Sequence, residues 1–332
     1  MKIMVYEVRP DEQADLEQQA ALHGVELAVT DAVPTLENAA LAAGCAGVSI
    51  LGQGRIDAAL LDAFYAQGVR YLSTRTIGYD HIDLDHARSI GLRVCNARYD
   101  PNGVADFTVM LILMCLRHYK QALWRGQVND FSLAGLQGRE MKDLTIGIIG
   151  TGRIGAQVAR NLSGFGCRLV AYDLRQNPAL EGLVTYVDFD GLLSQSDVIT
   201  LHMPLLDSNR HLINRETIAK MRDGVVIINC SRGEMADIEA LIEGIETGKI
   251  GALGMDTVEG DEGIIHADHR VDILPNRNWF YLHQFRNVIM TQHMAFYTDT
   301  AVASMVECGI RGIYNMAQGL PCTTELKEGT EI

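Results

Sequence analysis

The chain has 332 residues, of which 48% are hydrophobic and 21% are charged, a composition typical of globular proteins. This length favours two domains, each with a substantial hydrophobic core. The net charge of −14 and the lack of any Lys/Arg-rich run argue against a surface that binds nucleic acid or anionic membranes.

The first part of the chain alternates between strand and helix patterns. Strands are predicted at 2–8, 25–29, 47–50, 71–73 and 92–96, and helices at 12–23, 36–43, 57–67 and 84–90. This alternation predicts a flavodoxin-like domain, a parallel sheet with helices on both faces. Because the glycine fingerprint of dinucleotide binding does not occur here, we do not expect this domain to bind a dinucleotide.

A break in the pattern follows at Tyr99-Asp100-Pro101, where the proline suits the first turn of a helix. An apolar helix is predicted at 102–121, and a polar connection then runs to Arg139. The most apolar run of this helix, 107–116, is too short to span a bilayer. It is therefore interpreted as a buried helix.

The segment 144–173 has the pattern of a dinucleotide-binding β-α-β unit. An apolar strand at 144–149 enters Gly150-Thr151-Gly152-Arg153-Ile154-Gly155. A helix through 162 and a second strand at 168–172 follow, and Asp173 ends the segment. A G-x-G-x-x-G motif in this context predicts a Rossmann domain.

Each position of the motif has a physical task. Gly150 allows the tight turn from strand to helix, Gly152 lets the backbone approach a pyrophosphate, and Gly155 permits close packing of helix on strand. The N–H groups at the helix N-terminus would then hold the phosphates. Asp173 would accept hydrogen bonds from the ribose and repel a 2′-phosphate, which favours NAD over NADP, although the nearby Arg175 could weaken that preference.

The sheet pattern continues towards the C-terminus. Further strands are predicted at 183–186, 198–202, 225–229, 251–255 and 288–290, and a helix at 301–318 is predicted to return to the first domain. The predicted architecture is α/β, with two doubly wound parallel sheets. A substrate (catalytic) domain would comprise 1–98 and 297–332, and a Rossmann NAD-binding domain 99–296. A cleft between the two domains would be the natural ligand site.

Chemically useful side chains follow three of the predicted strands. Arg232 follows the strand at 225–229, an acidic cluster at 256–262 follows the next, and His293 follows the last. Ligands of an open parallel sheet bind at the carboxyl ends of its strands. Each residue alone could be an ordinary surface or structural group. Together, on the fold of a dinucleotide-binding domain, they favour catalysis.

This set of residues suits hydride transfer to a carbonyl that lies next to a carboxylate. Arg232 would bind the carboxylate through its forked guanidinium and polarise the carbonyl. His293, as an imidazolium, would donate the proton as the hydride arrives. A neighbouring carboxylate would favour the charged imidazole and fix its orientation.

Motifs spread over nearly the whole chain resemble one enzyme family, the D-isomer-specific 2-hydroxyacid dehydrogenases, and most closely its D-lactate dehydrogenase members. The motifs are TRTIGYDHIDL, NARYDPNGVADFTVMLIL, IGIIGTGRIG, SDVITLHMPL, INCSRGE, GMDTVEGDE and TQHMAFYT. The resemblance implies NAD as cofactor, a catalytic triad of arginine, carboxylate and histidine, and a homodimer formed through the dinucleotide domain. The helix 107–116 is a candidate for the dimer contact, and burial in the core is the alternative.

The resemblance also implies roles for single residues. The backbone amides of the turn Ile77, Gly78 and Tyr79 would hold the substrate carboxylate. Tyr99 and Phe296 would line the pocket for the substrate side chain, unless they are plain packing at the domain boundary. The positions where the family contacts NAD are Arg153, Ile154, Asp173, Met203, Pro204, Asn209, Cys230 and Asp256.

One position departs from the family pattern. The family's catalytic acid is usually a glutamate five residues after the position of Asp256, and here Asp261 stands there with Glu262 next to it. Aspartate is one methylene shorter, so it would need a shift of the loop to reach His293. We predict Asp261 as the acid, and Glu262 is the alternative.

The predicted reaction is reduction of pyruvate to D-lactate, since the HMAFYT stretch and a long loop at 263–287 look like the lactate-type members. Branched (D-2-hydroxyisocaproate-type) and aromatic 2-keto acids are near alternatives. Relatives that act on glyoxylate, hydroxypyruvate or phosphoglycerate stay open because Arg75 and Arg98 could face a phosphate. An alternative of another class is an NAD(H)-sensing binding protein or corepressor.

Cysteine usage and the N-terminus bear on the compartment. The seven cysteines are scattered, odd in number and without a C-x-x-C, which favours reduced thiols in a cytoplasm. The N-terminus meets charges too early for a secretory signal. No metal site is predicted, because the histidines lack H-x-x-x-H and H-E-x-x-H spacing.

Overall fold

The computed structural model describes residues 1–327. It divides into two compact units. Unit 1 comprises Met1–Asp100 and the chain from Tyr297 onward, and unit 2 comprises Pro101–Phe296.

Unit 1 contains a five-stranded parallel sheet in the order β2-β1-β3-β4-β5. The strands are β1 (Lys2–Val5), β2 (Glu26–Val29), β3 (Gly47–Ile50), β4 (Tyr71–Thr74) and β5 (Arg93–Cys95), and the helices between them are α1 (Gln13–His23), α2 (Ala58–Ala66) and α3 (Leu84–Ser89). Local sequence sets the ends of these helices. The carboxylate of Asp57 caps the start of α2, and Gly24 ends α1 in the left-handed conformation.

Unit 2 contains a seven-stranded parallel sheet in the order β12-β11-β10-β9-β6-β7-β8. Its strands are β6 (Thr145–Ile149), β7 (Arg168–Tyr172), β8 (Thr185–Tyr186), β9 (Val198–Leu201), β10 (Val225–Asn229), β11 (Ile250–Met255) and β12 (Val288–Met290). Its helices are α4 (Asn102–Leu116), α5 (Tyr119–Gln127), α6 (Arg153–Ser163), α7 (Phe189–Gln195), α8 (Arg215–Lys220), α9 (Ile238–Glu246) and α10 (Arg277–Gln284). The last helix, α11 (Asp299–Ala317), belongs to unit 1.

Short 3-10 turns complete the assignment, at Pro10–Glu12, Ala39–Ala42, Met141–Asp143, Pro178–Leu180, Asp207–Asn209 and Gly233–Met235.

Both faces of the unit 2 sheet are covered, which explains the continuous apolar runs of its strands. Along β10, Val225 and Ile227 pack into one core cluster, and Val226 and Ile228 pack into another. Successive side chains of a strand point to opposite faces, so a strand buried on both sides must be apolar throughout. The prediction of two doubly wound α/β domains is confirmed.

The helix predicted at 102–121 is two helices, and the predicted polar connection to Arg139 contains the second. α4 ends at Leu116, His118 adopts a left-handed backbone (φ 50°), and α5 follows. A left-handed residue cannot continue an α-helix, so the chain changes direction there. The ammonium group of Lys120 on α5 donates to three backbone carbonyls, including that of Val288 at 2.7 Å.

Two other segments differ from their predictions. The helix predicted at 36–43 is only the 3-10 turn Ala39–Ala42. The long loop predicted at 263–287 contains α10, whose start is capped by the Asn276 side chain. A capping side chain satisfies N–H groups that would otherwise lack partners, and this lets a short helix form inside a long connection.

The structure adds two observations on cysteines and membranes. All seven cysteines lie within residues 1–327 and are free thiols. In the same range, no helix has the length and apolarity that crossing a bilayer requires.

Candidate active site

The turn between β6 and α6 has the geometry of a phosphate-binding turn. Gly150 has a φ of +91°, and a Cβ there would lie 2.7 Å from Met203. A Cβ on Gly155 would lie 1.9 Å from the carbonyl oxygen of Gly150. Among residues 1–327, apart from the chain neighbours of Gly152, no atom lies within 4 Å of such a Cβ there, and no side chain in that range caps the helix. The crowded positions exclude side chains, while the open one leaves the N-terminal amides of α6 accessible to an anion.

Asp173 lies directly after β7 and is held in a network of hydrogen bonds. Its Oδ2 accepts from the backbone N–H of Thr151 at 2.6 Å and from the Thr151 hydroxyl at 3.0 Å. Its Oδ1 accepts from the N–H of Arg175 at 3.0 Å. The Tyr186 hydroxyl donates to the Thr151 hydroxyl, and the Asn177 amide donates to the Thr151 carbonyl. A carboxylate has about four acceptor sites, so this network fixes Asp173 and still leaves capacity on Oδ1.

The parts of this network that sequence reasoning missed are Thr151, Asn177 and Tyr186. Thr151 could have been suspected because it lies inside the glycine motif. Nothing in the sequence pattern connects Tyr186 to Asp173, since their link is a contact between neighbouring strands.

We predict that Asp173→Asn weakens NADH binding about tenfold and NADPH binding less, because the predicted role of Asp173 is to accept hydrogen bonds from the ribose and to repel a 2′-phosphate. Titration of the purified protein with each nucleotide measures both dissociation constants. Asp190→Asn is the matched control, since Asp190 is exposed on α7 and pairs with Lys220. Equal weakening for the two nucleotides would contradict the assigned role.

The remaining predicted cofactor residues surround the same strand ends. The carbonyl of Met203, after β9, accepts a hydrogen bond from the Ser231 hydroxyl. The Asn209 side chain donates to the carbonyl of Pro204 and accepts from a backbone N–H, both at 2.8 Å, and so shapes this loop. Arg153 and Ile154 form the first turn of α6. Burial raises the pKa of the Cys230 thiol, which therefore stays neutral.

The three predicted catalytic residues follow adjacent strands. β10, β11 and β12 are neighbours and all parallel, so the loops after them leave the same edge of the sheet. Arg232, Asp261 and His293 lie in these three loops. The loop of Arg232 is fixed from within, because the Asn229 side chain donates to the Arg232 carbonyl at 2.8 Å.

Asp261 is a partly buried acid of the cluster at 256–262, and its carboxyl is within the electrostatic influence of Arg232. Burial raises the pKa of its carboxyl to about 6. The hydrogen bond from the Val258 N–H, at 3.1 Å, acts in the opposite direction. The charges of Glu234 and Asp256 raise the pKa further, and the Arg232 guanidinium lowers it. Glu262 is exposed.

Asp256 anchors the loop that carries His293. Its buried carboxylate accepts hydrogen bonds from the Thr291 hydroxyl at 2.5 Å, from the Met294 N–H at 2.9 Å and from the Ala295 N–H at 2.8 Å. His293 lies between these donors in a left-handed conformation (φ 53°). Such a conformation is uncommon for a residue with a side chain, so the anchor helps to hold it. The family resemblance implies only an NAD contact for Asp256, and this anchoring role was missed.

A second imidazole adjoins His293. The Nε2 atom of His266 lies 3.2 Å from the His293 carbonyl, and the two ring centres are 6.1 Å apart. The Phe296 ring stands edge-on to both imidazoles at 6.4 Å. Sequence reasoning did not single out His266, because it lies within the segment predicted as a loop.

The predicted substrate-binding turn belongs to unit 1. The Asn96 side chain donates to the carbonyl of Ile77 at 2.7 Å, and the Thr76 hydroxyl donates to the carbonyl of Gly78 at 2.6 Å. These bonds fix the carbonyls of the turn. Burial raises the pKa of Tyr79. Tyr99 also belongs to unit 1, whereas Phe296 is the last residue of unit 2.

We predict that Asp261→Asn lowers kcat about tenfold and shifts the acidic limb of the pH profile, because the predicted role of Asp261 is to give the His293 imidazolium a charged partner. The variant should also be more thermally stable than the wild type at pH 8, and this difference between the two proteins should be smaller at pH 4. The pKa of Asp261 in the folded protein, about 6, lies above the ordinary aspartate value of 3.8, so the folded protein binds this proton more tightly than the unfolded chain. Its stabilising effect is therefore lost as the pH rises through about 6, and asparagine avoids that loss.

Rate profiles and melting curves across this pH range measure both effects of the Asp261 substitution. Glu262→Gln is the matched control. An unchanged profile for the Asp261 variant, with the loss appearing in the Glu262 variant, would transfer the role to Glu262.

Within residues 1–327, no group of three or more His, Cys, Asp or Glu side chains has an arrangement that could hold a metal ion.

Comparison with known proteins gives consistent matches. The model of the D-isomer specific 2-hydroxyacid dehydrogenase NAD-binding domain matches residues 109–295. An aromatic 2-oxoacid reductase of Clostridium sporogenes is 42% identical over 311 residues, covering 92% of this chain and 93% of that protein.

Solved structures match over nearly the whole chain. A D-lactate dehydrogenase of Treponema pallidum has a TM-score of 0.88 and 32% identity, covering 99% of this chain and 100% of that one. The NAD-complexed D-isomer specific 2-hydroxyacid dehydrogenase of Lactobacillus delbrueckii ssp. bulgaricus has a TM-score of 0.83 and 31% identity, covering 98% and 100%.

Proposed function

Since the chain belongs to the D-isomer specific 2-hydroxyacid dehydrogenases, a family of NAD-binding oxidoreductases, we propose that it reduces a 2-keto acid to a D-2-hydroxy acid, with pyruvate and D-lactate as the leading pair. The observation that carries this proposal is the placement of Arg232, Asp261 and His293 after three adjacent parallel strands of unit 2. The glycine turn before α6 and Asp173 fit the cofactor.

The cofactor, when bound as NADH, supplies the hydride. Arg232 binds the carboxylate of the keto acid and polarises the neighbouring carbonyl, because its planar guanidinium can donate two hydrogen bonds at once. His293 donates a proton to the carbonyl oxygen from its imidazolium and takes it back in the reverse reaction. Asp261, as a carboxylate, favours the charged imidazole, and Asp256 holds the His293 loop in place.

An aromatic 2-keto acid is the second candidate substrate. The relative from Clostridium sporogenes, 42% identical, is an aromatic 2-oxoacid reductase, and this favours an aromatic keto acid in place of pyruvate. A branched keto acid is the intermediate case. A pocket that differs by one or two methylenes changes discrimination by about 1–3 kcal/mol, so the pocket must be tested directly.

The test is a panel of pyruvate, 2-ketoisocaproate and phenylpyruvate, each assayed with NADH by loss of its absorbance, with chiral chromatography of the products. The proposal expects a D-product in every active reaction and the highest kcat/KM with pyruvate. The highest value with phenylpyruvate would establish the aromatic alternative. Failure to consume NADH with all three, despite tight NADH binding, would favour an NAD(H)-sensing protein or corepressor.

The contacts of Arg75 argue against a role in binding a substrate phosphate. Its side chain is fully buried, and its guanidinium donates to the Glu12 carboxylate at 3.0 Å, to the carbonyl of Tyr6 at 2.9 Å and to the Ser49 hydroxyl at 3.3 Å. A guanidinium bound in this way has few donors left for a phosphate. Of the two arginines considered for a phosphorylated substrate, Arg75 and Arg98, only Arg98 therefore stays a candidate.

We also propose a homodimer, with α5 and the loop after it as the contact surface. The earlier candidate, 107–116, lies mostly in the core, and only Met110 and Leu113 are exposed. The large exposed apolar side chains of the new surface are Leu123, Trp124, Val128, Phe131 and Leu133, each at least half exposed. Five large apolar side chains this exposed within eleven consecutive residues favour an interaction site.

We predict that the double substitution of Phe131 and Leu133 by serine converts the dimer into a monomer, because it removes the two most exposed apolar side chains of this surface. Size-exclusion chromatography with light scattering measures the mass. Leu174→Ser is the control, since Leu174 is equally exposed elsewhere in unit 2. A double variant that remains dimeric would place the contact on another surface.

A further inference from the structure

The chain after α11 returns along β5 and pairs with it. The N–H of Asn96 donates to the carbonyl of Thr324 at 3.1 Å. The Arg93 guanidinium donates two hydrogen bonds to the Glu325 carboxylate, at 2.6 and 2.9 Å. Residues 322–327, named here the C-terminal segment, therefore add an antiparallel edge to the sheet of unit 1.

Two cysteines meet where the C-terminal segment begins. Cys95 is the last residue of β5 and is fully buried, and Cys322 opens the C-terminal segment and is partly exposed. The Sγ of Cys322 also lies 3.7 Å from the Thr324 hydroxyl. Gly312 of α11 makes the necessary space, because a Cβ there would lie 2.5 Å from the Sγ of Cys95 and 3.8 Å from the Sγ of Cys322. Two sulfurs from distant parts of the chain thus share one small space.

The two thiols differ in access and in acidity. The neighbouring Cys95 thiol is the main cause that lowers the pKa of Cys322, to about 6, and the Thr324 side chain and backbone act in the same direction. The proximity of Cys322, together with burial, raises the pKa of Cys95. The accessible sulfur is therefore the more acidic of the two and loses its proton first, which gives the thiolate, the reactive form of cysteine, while the buried sulfur keeps its proton.

We propose that Cys322 and Cys95 form a peroxide-sensitive dithiol site, in which Cys322 reacts first and Cys95 then closes an intramolecular disulfide. The Cys322 sulfur attacks one oxygen of hydrogen peroxide, the O–O bond breaks, and a sulfenic acid and hydroxide form. The hydroxide takes the proton of Cys95. The Cys95 sulfur then attacks the Cys322 sulfur and displaces its oxygen as hydroxide, which is protonated by solvent.

The reaction is balanced in atoms and electrons. Two thiols and one hydrogen peroxide give one disulfide and two waters, with two electrons passing from sulfur to the peroxide. The disulfide would fasten the C-terminal segment to β5.

The test uses the full-length protein treated with one equivalent of hydrogen peroxide, followed by alkylation, digestion without reductant and mass spectrometry. We expect a linked pair of peptides containing Cys95 and Cys322, the loss of two free thiols for each peroxide consumed, and reversal by dithiothreitol. The oxidised protein should also melt a few degrees higher, since a disulfide restricts the unfolded chain.

Variants separate this site from general thiol oxidation. Cys322→Ser, a change at a partly exposed position, should abolish the linked peptide, and so should Cys95→Ser. Cys167→Ser is the matched control, a thiol of unit 2 whose pKa is raised by burial, and it should leave the linked peptide unchanged. Linkage of Cys322 to Cys308 or to a second chain, or oxidation of Cys322 to sulfinic acid without linkage, would overturn the proposal.

Discussion

Replacement of His293 by glutamine is expected to lower kcat/KM by about 10²- to 10⁴-fold, the range that general acid–base catalysis by a positioned side chain contributes. Glutamine can still donate a hydrogen bond, but it cannot hold and release a proton near neutral pH. The affinity for NADH should stay near that of the wild type, because the glycine turn and Asp173 hold the nucleotide. Steady-state kinetics across pH, together with NADH titration, measure these effects.

The neighbouring imidazole supplies the control for this substitution. His266→Gln removes a ring that contacts the His293 carbonyl, yet this variant should keep activity within about tenfold, because it carries no proton to the substrate. The change of kcat/KM with pH near neutrality should disappear in the His293 variant and persist in the His266 variant. If the His266 variant shows the larger loss and the altered profile, the proton donor is His266.

Replacement of Arg232 by lysine is expected to lower kcat/KM by about 10²- to 10³-fold, similar to the removal of one preorganised donor from a catalytic site. Lysine keeps the positive charge but presents a point charge in place of a planar fork, so it cannot bind the carboxylate in two-point geometry. The loss should appear in KM for the keto acid as well as in kcat, because Arg232 acts on both the carboxylate and the carbonyl.

Two measurements identify the role of Arg232. Arg215→Lys is the matched control, because Arg215 is an exposed arginine of α8 that pairs with Glu243, and its kinetics should not change. Added guanidinium should partly restore the activity of Arg232→Ala and have no effect on the wild type. A lysine variant with wild-type KM and kcat would contradict the assignment of Arg232 as a substrate-binding residue.

These expectations combine what sequence patterns predict with what the fold adds. The strands β3, β7, β10 and β12 begin and end at the predicted residues, because a parallel strand buried on both faces must be a continuous apolar run bounded by polar residues. The glycine motif was equally informative, since a turn with a φ of +91° at Gly150 excludes residues with side chains.

The break between α4 and α5 could not be predicted in the same way. His118 adopts its left-handed conformation while Lys120, next to it, binds carbonyls from a distant part of the chain. The helical periodicity continues across this point, and only the tertiary contact reveals the change of direction. Local propensity is a weak signal where such contacts decide the backbone.

The sequence by itself determined the two parallel sheets, the cofactor turn and the strand ends that carry Arg232 and His293, because strand period, glycine spacing and sheet direction are local properties of the chain. Only the tertiary structure decided that Asp261 is partly buried while Glu262 is exposed, that Asp256 anchors the His293 loop, and that Arg75 is bound to Glu12. Each of these depends on groups far apart in sequence, whose burial and hydrogen bonding exist only after the chain has folded.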